Sequence, residues 1–147
     1  ELCAIESAAK YHPDSQVYVI FTTNVIEWSQ SQDVLLNYSN IAYRYVNVKD
    51  FISDSPLEHL WRRNLIQSSA YLISHLSDVL RFLILYRFGG TYLDMDVVVL
   101  RPLPDVQNFI GRESLIFNFI GTSCWNFPVR SSIISTKSLI LFQPLAS

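Results

Sequence analysis

The spacing of apolar residues changes several times in the first half of the chain, and each change predicts a new element. Leu2 to Lys10 has Ala, Ile and Leu on one side and charged residues on the other, as in a short amphipathic helix. Val17 to Thr22 is an almost continuous apolar run, typical of a central parallel strand. We expect a second helix over Ile26 to Tyr38, and the alternation in Ile41 to Val48 predicts a strand nearer an edge. This β-α-β order predicts an α/β fold with a parallel sheet.

The middle of the chain shows weaker patterns. Lys49 to Ser55 is typical of a loop or short turn. Pro56 to Gln67 predicts a helix with Pro56 at its first position, where the missing N–H costs nothing. Trp61 in this helix is interpreted as a core anchor.

Residues 77–100 carry the strongest pattern. Val79 to Phe88 is apolar apart from two arginines and contains no Gly or Pro, which predicts a mostly buried helix. Gly89 and Gly90 supply the positive-φ positions that end a helix and redirect the chain. Thr91 to Leu100 is rich in Val, Leu and Tyr and predicts a buried strand.

Two carboxylates interrupt this strand. Side chains two apart in a strand share a face, so Asp94 and Asp96 are expected to point one way and Met95 the other. Paired carboxylates beside apolar residues repel each other unless a cation compensates, and a hard divalent ion prefers such oxygen ligands. Solvated carboxylates at a strand end are the alternative, and an isolated Asp-x-Asp favours that alternative.

Asp78 and Arg81 form a second candidate pair. They are three apart and therefore project from neighbouring positions of the helix. Such a pair is often only a surface salt bridge. Because the flanking residues are apolar, we expect this pair to emerge from a buried stretch and to need partners.

The pattern Ser-Asp-x-x-Arg followed by Gly-Gly-x-Tyr-x-Asp-x-Asp resembles the DXD glycosyltransferases, specifically the family 32 group of α1,4-galactosyltransferases and α1,4-N-acetylglucosaminyltransferases. Cys3 to Ala9, the following His12-Pro13 and the run from Asp54 to Leu57 also resemble that group. The resemblance extends from about Leu2 to about Arg112. It implies a GT-A-like, Rossmann-like parallel or mixed sheet with flanking helices, truncated in this chain.

The resemblance implies a retaining hexosyltransferase that moves galactose or N-acetylhexosamine from a UDP-sugar to a glycolipid or glycan. Asp78, Arg81 and Asp94 would bind the nucleotide sugar, and Asp94 and Asp96 would bind Mn²⁺ or Mg²⁺. Direct coordination is assigned to Asp96, while Asp94 would reach sugar hydroxyls and, through water, the metal. No catalytic residue is assigned. The loop Phe21 to Asn24 would contact the base, although an ordinary polar loop explains it equally well. The parent family implies a type II membrane protein of the Golgi lumen, anchored through a segment not in this chain.

Composition narrows the alternatives. The chain has 147 residues, 50% of them hydrophobic, enough for one folded domain. Its net charge of −2 gives no sign of a nucleic-acid partner. Cys3 and Cys124 are too few for a disulfide scaffold, and buried free thiols are expected, although the redox compartment stays open. The three histidines show no metal-ligand spacing and are interpreted as structural or exposed.

The last part of the chain departs from the family pattern. We expect residues 1–113 to be the donor-binding part of a glycosyltransferase domain and 114–147 to be a divergent tail, serine-rich and free of carboxylates. The chain begins at Glu1 within a motif, so a fragment is expected. Because the family's acceptor-binding region does not follow residue 113, incomplete transfer activity is also expected. Two alternatives stay open: a non-catalytic product that binds nucleotide sugar at most, and a haloacid-dehalogenase-type phosphatase with a nucleophilic first Asp. The second expects Gly or Thr after the motif, where this chain has Val97.

Overall fold

The computed structural model describes residues 2–23, 30–104, 108–112, 120–127 and 138–143. The helices are α1 (Leu2–Tyr11), a 3-10 helix (Gln30–Asn37), α2 (Val48–Ile52), α3 (Glu58–Arg62) and α4 (Leu72–Phe88). The strands are β1 (Gln16–Phe21), β2 (Ile41–Tyr45), β3 (Gly90–Asp94), β4 (Ile110–Arg112), β5 (Ile120–Phe127) and β6 (Ser138–Gln143). The expected α/β class is confirmed.

These strands form one mixed sheet in the order β2-β1-β6-β3-β5-β4. The β1–β2, β1–β6 and β3–β6 pairs are parallel, whereas β5 is antiparallel to both β3 and β4. As expected, β1 is an interior parallel strand and β2 lies at an edge. Both β5 and β6 come from the region 114–147, for which the sequence shows no clear period.

Helices pack on both faces of the sheet, so β1 and β3 contribute to two cores. On one face, Val17, Val19 and Leu93 pack with buried residues of α1. On the other face, Ile20 and Tyr92 pack with buried residues of α4. Neighbouring residues of a strand thus enter opposite cores, as the period of two requires.

The middle of the chain differs from expectation. Residues 49–55 are not simply a loop, because α2 begins at Val48 and Asn47 caps it by accepting a hydrogen bond from the Asp50 N–H at 3.3 Å. The predicted helix Pro56–Gln67 is wrong in extent: α3 covers only its middle, and Pro56 precedes the helix instead of opening it. Asn64 adopts φ 56°, a left-handed conformation that no α-helix continues through. Trp61 packs against the α4 core, as expected.

Other expectations are confirmed in part. The helix expected over Ile26–Tyr38 is a 3-10 helix from Gln30, and residues 26–29 lie outside the described part of the chain. Both cysteines are free, but Cys3 is exposed, and only Cys124 is partly buried, which raises its pKa to about 11. The expectation that both thiols are buried is therefore wrong for Cys3.

Candidate functional site

The turn between α4 and β3 folds the chain back so that the end of β3 lies beside the middle of α4. Gly89 ends the helix with φ 64° and ψ −157°, and its N–H donates to the Leu85 carbonyl at 2.8 Å. Gly90 follows with φ 92° and begins β3. These backbone conformations suit glycine, since an L side chain is strained there. The glycine pair thereby brings Asp94 next to Arg81, thirteen positions earlier.

Arg81 is the centre of this arrangement. It is only 5% exposed, which is rare for an arginine. Its Nη2 donates to Asp94 Oδ1 at 3.0 Å, and its Nη1 lies 3.5 Å from Asp78 Oδ1. The guanidinium also stacks over the Tyr92 ring at 4.7 Å from the ring centroid. The pair with Asp94 is the stronger one, because Asp78 is half exposed and its charge is screened by water.

Asp94 accepts a second hydrogen bond on the same oxygen. The Tyr92 hydroxyl donates to Asp94 Oδ1 at 2.7 Å. Tyr92 is fully buried, and burial raises the pKa of its phenol well above the ordinary value. The Asp94 charge raises this pKa further, and Arg81 opposes the shift. In the described residues both contacts fall on Oδ1, while the carboxylate is 25% exposed, so Asp94 is oriented yet still reaches solvent.

Asp96 lies in a different environment. The predicted strand Thr91–Leu100 is wrong in its second half: β3 ends at Asp94, and a turn follows in which the Val97 N–H donates to the Asp94 carbonyl at 3.0 Å. Met95 is buried in the core beneath α1, on the opposite face from Asp94, as expected from alternation. Asp96 is exposed. Its carboxylate can therefore meet a ligand from solvent without the desolvation cost of a buried charge.

The carboxyl ends of the parallel strands β1, β6 and β3 lie at one end of the sheet, and these carboxylates lie at the same end. On β6, Gln143 pairs with Phe21 of β1, and its neighbour Phe142 pairs with Asp94 of β3. Two strand spacings put the backbones of Phe21 and Asp94 about 10 Å apart. Open α/β sheets bind ligands just beyond the carboxyl ends of their strands.

The loop after β1 is only partly described. Phe21 is buried and packs against Tyr43, with ring centroids 5.9 Å apart. The Thr22 hydroxyl oxygen is buried without a hydrogen-bond partner among the described residues, whereas Thr23 is exposed. Asn24 lies outside the described residues. The contact of this loop with a base therefore stays a prediction.

The structure also contains an apolar cavity of about 290 Å³ beside Asp78, which the sequence did not predict. Its lining residues come from the α3 region and the start of α4: Leu60, Leu65, Ile66, His75, Asp78 and Val79.

Sequence reasoning also gave no role to Tyr92. Its signal was present, since Tyr92 precedes Asp94 by two positions and side chains at that spacing share one face of a strand.

The histidines are structural or exposed, as predicted. His12 bonds the backbone on both ring nitrogens, and His59 and His75 are exposed. Within the described part of the chain, no three His, Cys, Asp or Glu side chains come together as a metal-binding group. None of the described helices is long and apolar enough to cross a membrane.

Residues 1–116 match the family described as "Glycosyltransferase sugar-binding region containing DXD motif". The chain belongs to this family. The matched residues include Asp78, Arg81, Asp94 and Asp96, so the resemblance based on the motif is confirmed. Membership favours the glycosyltransferase interpretation of the Asp-x-Asp pair over the phosphatase alternative.

Individual relatives support the same group. The chain is 32% identical over 118 residues to lactosylceramide 4-alpha-galactosyltransferase of Rattus norvegicus, covering 77% of this chain and 33% of that protein. It is 28% identical over 121 residues to alpha-1,4-N-acetylglucosaminyltransferase of Homo sapiens, covering 76% and 35%. The chain thus spans about a third of the length of these relatives. No solved structure matches it.

Proposed function

We propose that this protein is a metal-dependent glycosyltransferase that transfers galactose or N-acetylhexosamine from a UDP-sugar to a glycolipid or glycan, with retention of configuration. The observation that carries the proposal is the buried Arg81 holding Asp94 beside the exposed Asp96, inside the motif that defines the family. The relatives are named for transfer of galactose and of N-acetylglucosamine, which supports these two donor classes. A GT-A-like sheet, with residues 1–113 as its donor-binding part, is part of the proposal.

The residues present fit a hard cation such as Mn²⁺ or Mg²⁺. Asp94 and Asp96 offer only oxygen ligands, and such ions are commonly bound by one or two carboxylates together with substrate phosphates and water. We therefore expect a metal site to which the protein supplies fewer than three ligands. When bound, the cation would offset the negative charge that grows on the departing diphosphate.

In this proposal the three carboxylates differ in role because their surroundings differ. Asp96 is exposed and supplies the direct metal ligand. Asp94 has Oδ1 fixed by Arg81 and Tyr92, so its second oxygen is presented in a constant direction to sugar hydroxyls. Asp78 is half exposed and contacts the donor directly.

Arg81 acts mainly through its neighbours in this scheme. Its guanidinium is buried and its fork already faces Asp94 and Asp78, so it orients those carboxylates for the donor. An arginine suits this task because its planar fork can bind two carboxylates at a fixed angle.

The first experiment measures the thermal midpoint of the chain with and without Mn²⁺ and UDP. At a ligand concentration 100 times Kd, binding adds about 2.7 kcal/mol to the free energy of unfolding. For a chain of this size that corresponds to a rise of about 5–10 °C. The rise is expected to vanish in Asp96→Asn and to persist in Asp14→Asn, which changes an exposed aspartate in a turn far along the sequence from the motif. An undiminished rise in Asp96→Asn would refute the metal assignment.

Sugar transfer is tested separately. The protein is incubated with Mn²⁺, radiolabelled UDP-galactose or UDP-N-acetylglucosamine, and either lactosylceramide or a glycan acceptor. Label is expected in the acceptor with the whole protein and little or none with residues 1–147 alone, because the acceptor side of the site is expected to be incomplete in this chain. Product with inverted configuration would contradict the proposed stereochemistry. Residence in the Golgi lumen as a type II membrane protein is proposed by analogy with glycolipid-modifying relatives, and immunofluorescence of the whole protein checks it.

A further inference from the structure

Two side chains of the N-terminal segment bond the chain that follows the Asp94–Val97 turn. Ser7 Oγ accepts a hydrogen bond from the Val99 N–H at 2.9 Å and donates to the Ala4 carbonyl at 3.0 Å. His12 Nε2 accepts from the Leu103 N–H at 2.9 Å. The bonds to Val99 and Leu103 join residues more than ninety positions apart. We call residues 97–103 the post-motif segment.

The tautomer of His12 follows from its two partners. A backbone N–H can only donate, so Nε2 must be the acceptor and Nδ1 must carry the proton. Nδ1 then donates to the Ala8 carbonyl at 3.1 Å, one turn back along α1. The ring is thus fixed at both nitrogens: Nδ1 bonds the last turn of α1 at Ala8, and Nε2 holds Leu103.

Packing supports the same attachment. Val99 is buried in the core that contains Ala4, Ile5 and Ala8 of α1, and Val97 and Leu103 pack against that core. Asp96, Val98 and Leu100 are exposed. Val97, Val99 and Leu103 of the post-motif segment therefore pack toward the core that contains α1, although no strand pairs with this segment in the described part of the sheet.

This attachment matters because buried backbone N–H groups need partners. In a strand the neighbouring strand would supply them. Here the side chains of Ser7 and His12 supply partners for two amides, at Val99 and at Leu103. The backbone that follows Asp96 is therefore held in place by Ser7 and His12. The backbone that precedes it is held at Asp94 by β3, Arg81 and Tyr92.

We propose that Ser7 and His12 are positioning residues that set the direction in which Asp96 meets the cation and diphosphate. The inference rests on the proposed function, since it assumes that Asp96 binds the cation. It gives a physical role to the N-terminal residues whose pattern resembles the family yet which lie outside the carboxylate motif.

A pair of substitutions at one position separates the two bonds of His12. In His12→Asn the side-chain amide occupies the place of Nδ1, so the bond to Ala8 can persist while Leu103 is out of reach. In His12→Gln the longer side chain brings an acceptor to the place of Nε2 and can retain the bond to Leu103. Ser7→Ala removes the acceptor for the Val99 N–H.

The control is Tyr38→Phe. Tyr38 donates to Glu6 of α1 at 3.2 Å, so this change weakens the attachment of the same helix without touching the post-motif segment. A general loosening of α1 would affect the control and the test variants alike.

Two measurements are made on each variant: the UDP dissociation constant with Mn²⁺ and with EDTA, and hydrogen exchange at the Val99 and Leu103 amides. In Mn²⁺ the UDP dissociation constant should rise about three- to tenfold in His12→Asn and in Ser7→Ala, as expected for the loss of one hydrogen bond. It should change less than about twofold in His12→Gln and Tyr38→Phe, a loss below that of a typical hydrogen bond. In EDTA all variants should match the wild type. Exchange at Leu103 should accelerate in His12→Asn but not in His12→Gln.

The outcomes separate the two proposals. If the wild type shows no Mn²⁺-dependent gain in UDP affinity, the proposed function fails and this inference fails with it, before any variant is compared. If the wild type shows the gain and His12→Asn and Ser7→Ala keep all of it, only the positioning role is overturned. Faster exchange at the Val99 or Leu103 amide with an unchanged Mn²⁺ effect on UDP affinity would likewise reduce both residues to structural contacts.

Discussion

Replacing Tyr92 by Phe removes one hydroxyl from the site and leaves the buried ring in place. The ring keeps its stacking beneath Arg81, while Asp94 Oδ1 loses the donor at 2.7 Å. Hydrogen bonds to charged groups contribute about 1.5–3 kcal/mol to stability. Because the Asp94 carboxylate is 25% exposed, water can replace part of this bond. We therefore expect Tyr92→Phe to lower the free energy of unfolding by about 1.5 kcal/mol near neutral pH.

The same hydroxyl makes the difference in stability between the wild type and Tyr92→Phe depend on pH. The pKa of Tyr92 is raised in the folded state, chiefly by burial, from an ordinary value of 10.0. Above that value the unfolded chain loses the phenol proton while the folded chain keeps it, so the unfolded state is favoured. The wild type then loses stability relative to Tyr92→Phe, by about 1.4 kcal/mol at pH 11. The wild type should be the more stable protein at pH 8, and the two should be nearly equal at pH 11.

Urea unfolding followed by tryptophan fluorescence at pH 8 and pH 11 measures this difference. Tyr71→Phe is the matched control, since Tyr71 is 72% exposed. The control should track the wild type at both pH values. A stability gap between wild type and Tyr92→Phe that stays constant from pH 8 to pH 11 would refute the reasoning, as would no gap at pH 8.

Three further predictions concern the remaining features of the site and its surroundings. Arg81→Lys keeps the charge but loses the planar fork, so UDP-sugar affinity measured by calorimetry should fall about tenfold, and equal affinity would show that the fork is dispensable. Gly89→Ala should lower the free energy of unfolding by about 1–3 kcal/mol, because its φ and ψ suit only glycine, and an unchanged urea midpoint would contradict this. With iodoacetamide at pH 8, the exposed Cys3 should react well before Cys124, whose pKa is raised to about 11 by burial, and mass spectrometry that found equal rates would be inconsistent with the structure.

The parts of the fold that could be predicted from sequence are those with a clear period or a glycine signal. Leu2–Lys10 and Val17–Thr22 match α1 and β1 to within a residue or so at each end, because each segment buries a consistent set of positions. Gly89 and Gly90 marked the end of α4 correctly, since the positive φ values allow few other residues.

Elements decided by single contacts could not be predicted in the same way. The extent of β3 depends on the turn bond from Val97 to Asp94, and the end of α3 on the left-handed conformation of Asn64. The short helix α2 had a readable signal in its Asn47 cap, which a pattern of apolar positions does not capture. β6 lies between two parallel partners, where strands show no alternation to detect.

The sequence predicted which residues form the candidate site, and the structure adds the contacts that connect them. The carboxylates of Asp78 and Asp94 both lie beside the buried guanidinium of Arg81. That Tyr92 shares the Asp94 oxygen is a matter of rotamer and packing, which the motif does not specify. The contacts of Ser7 and His12 with residues beyond the motif join positions more than ninety residues apart, and no local pattern reports them.

The position of β6 has a consequence for how the protein folds. This strand separates β1 from β3, and its pairing with β1 joins positions about 120 residues apart, as Val17 and Leu139 are. Until residues 138–143 leave the ribosome, the β1–β2 pair and the segment of β3 have no shared partner, so the sheet cannot close during synthesis of the earlier residues. Folding of the sheet should therefore be slow and should wait for residues 138–143, with the open edges of β1 and β3 available to chaperones or to aggregation in the interval.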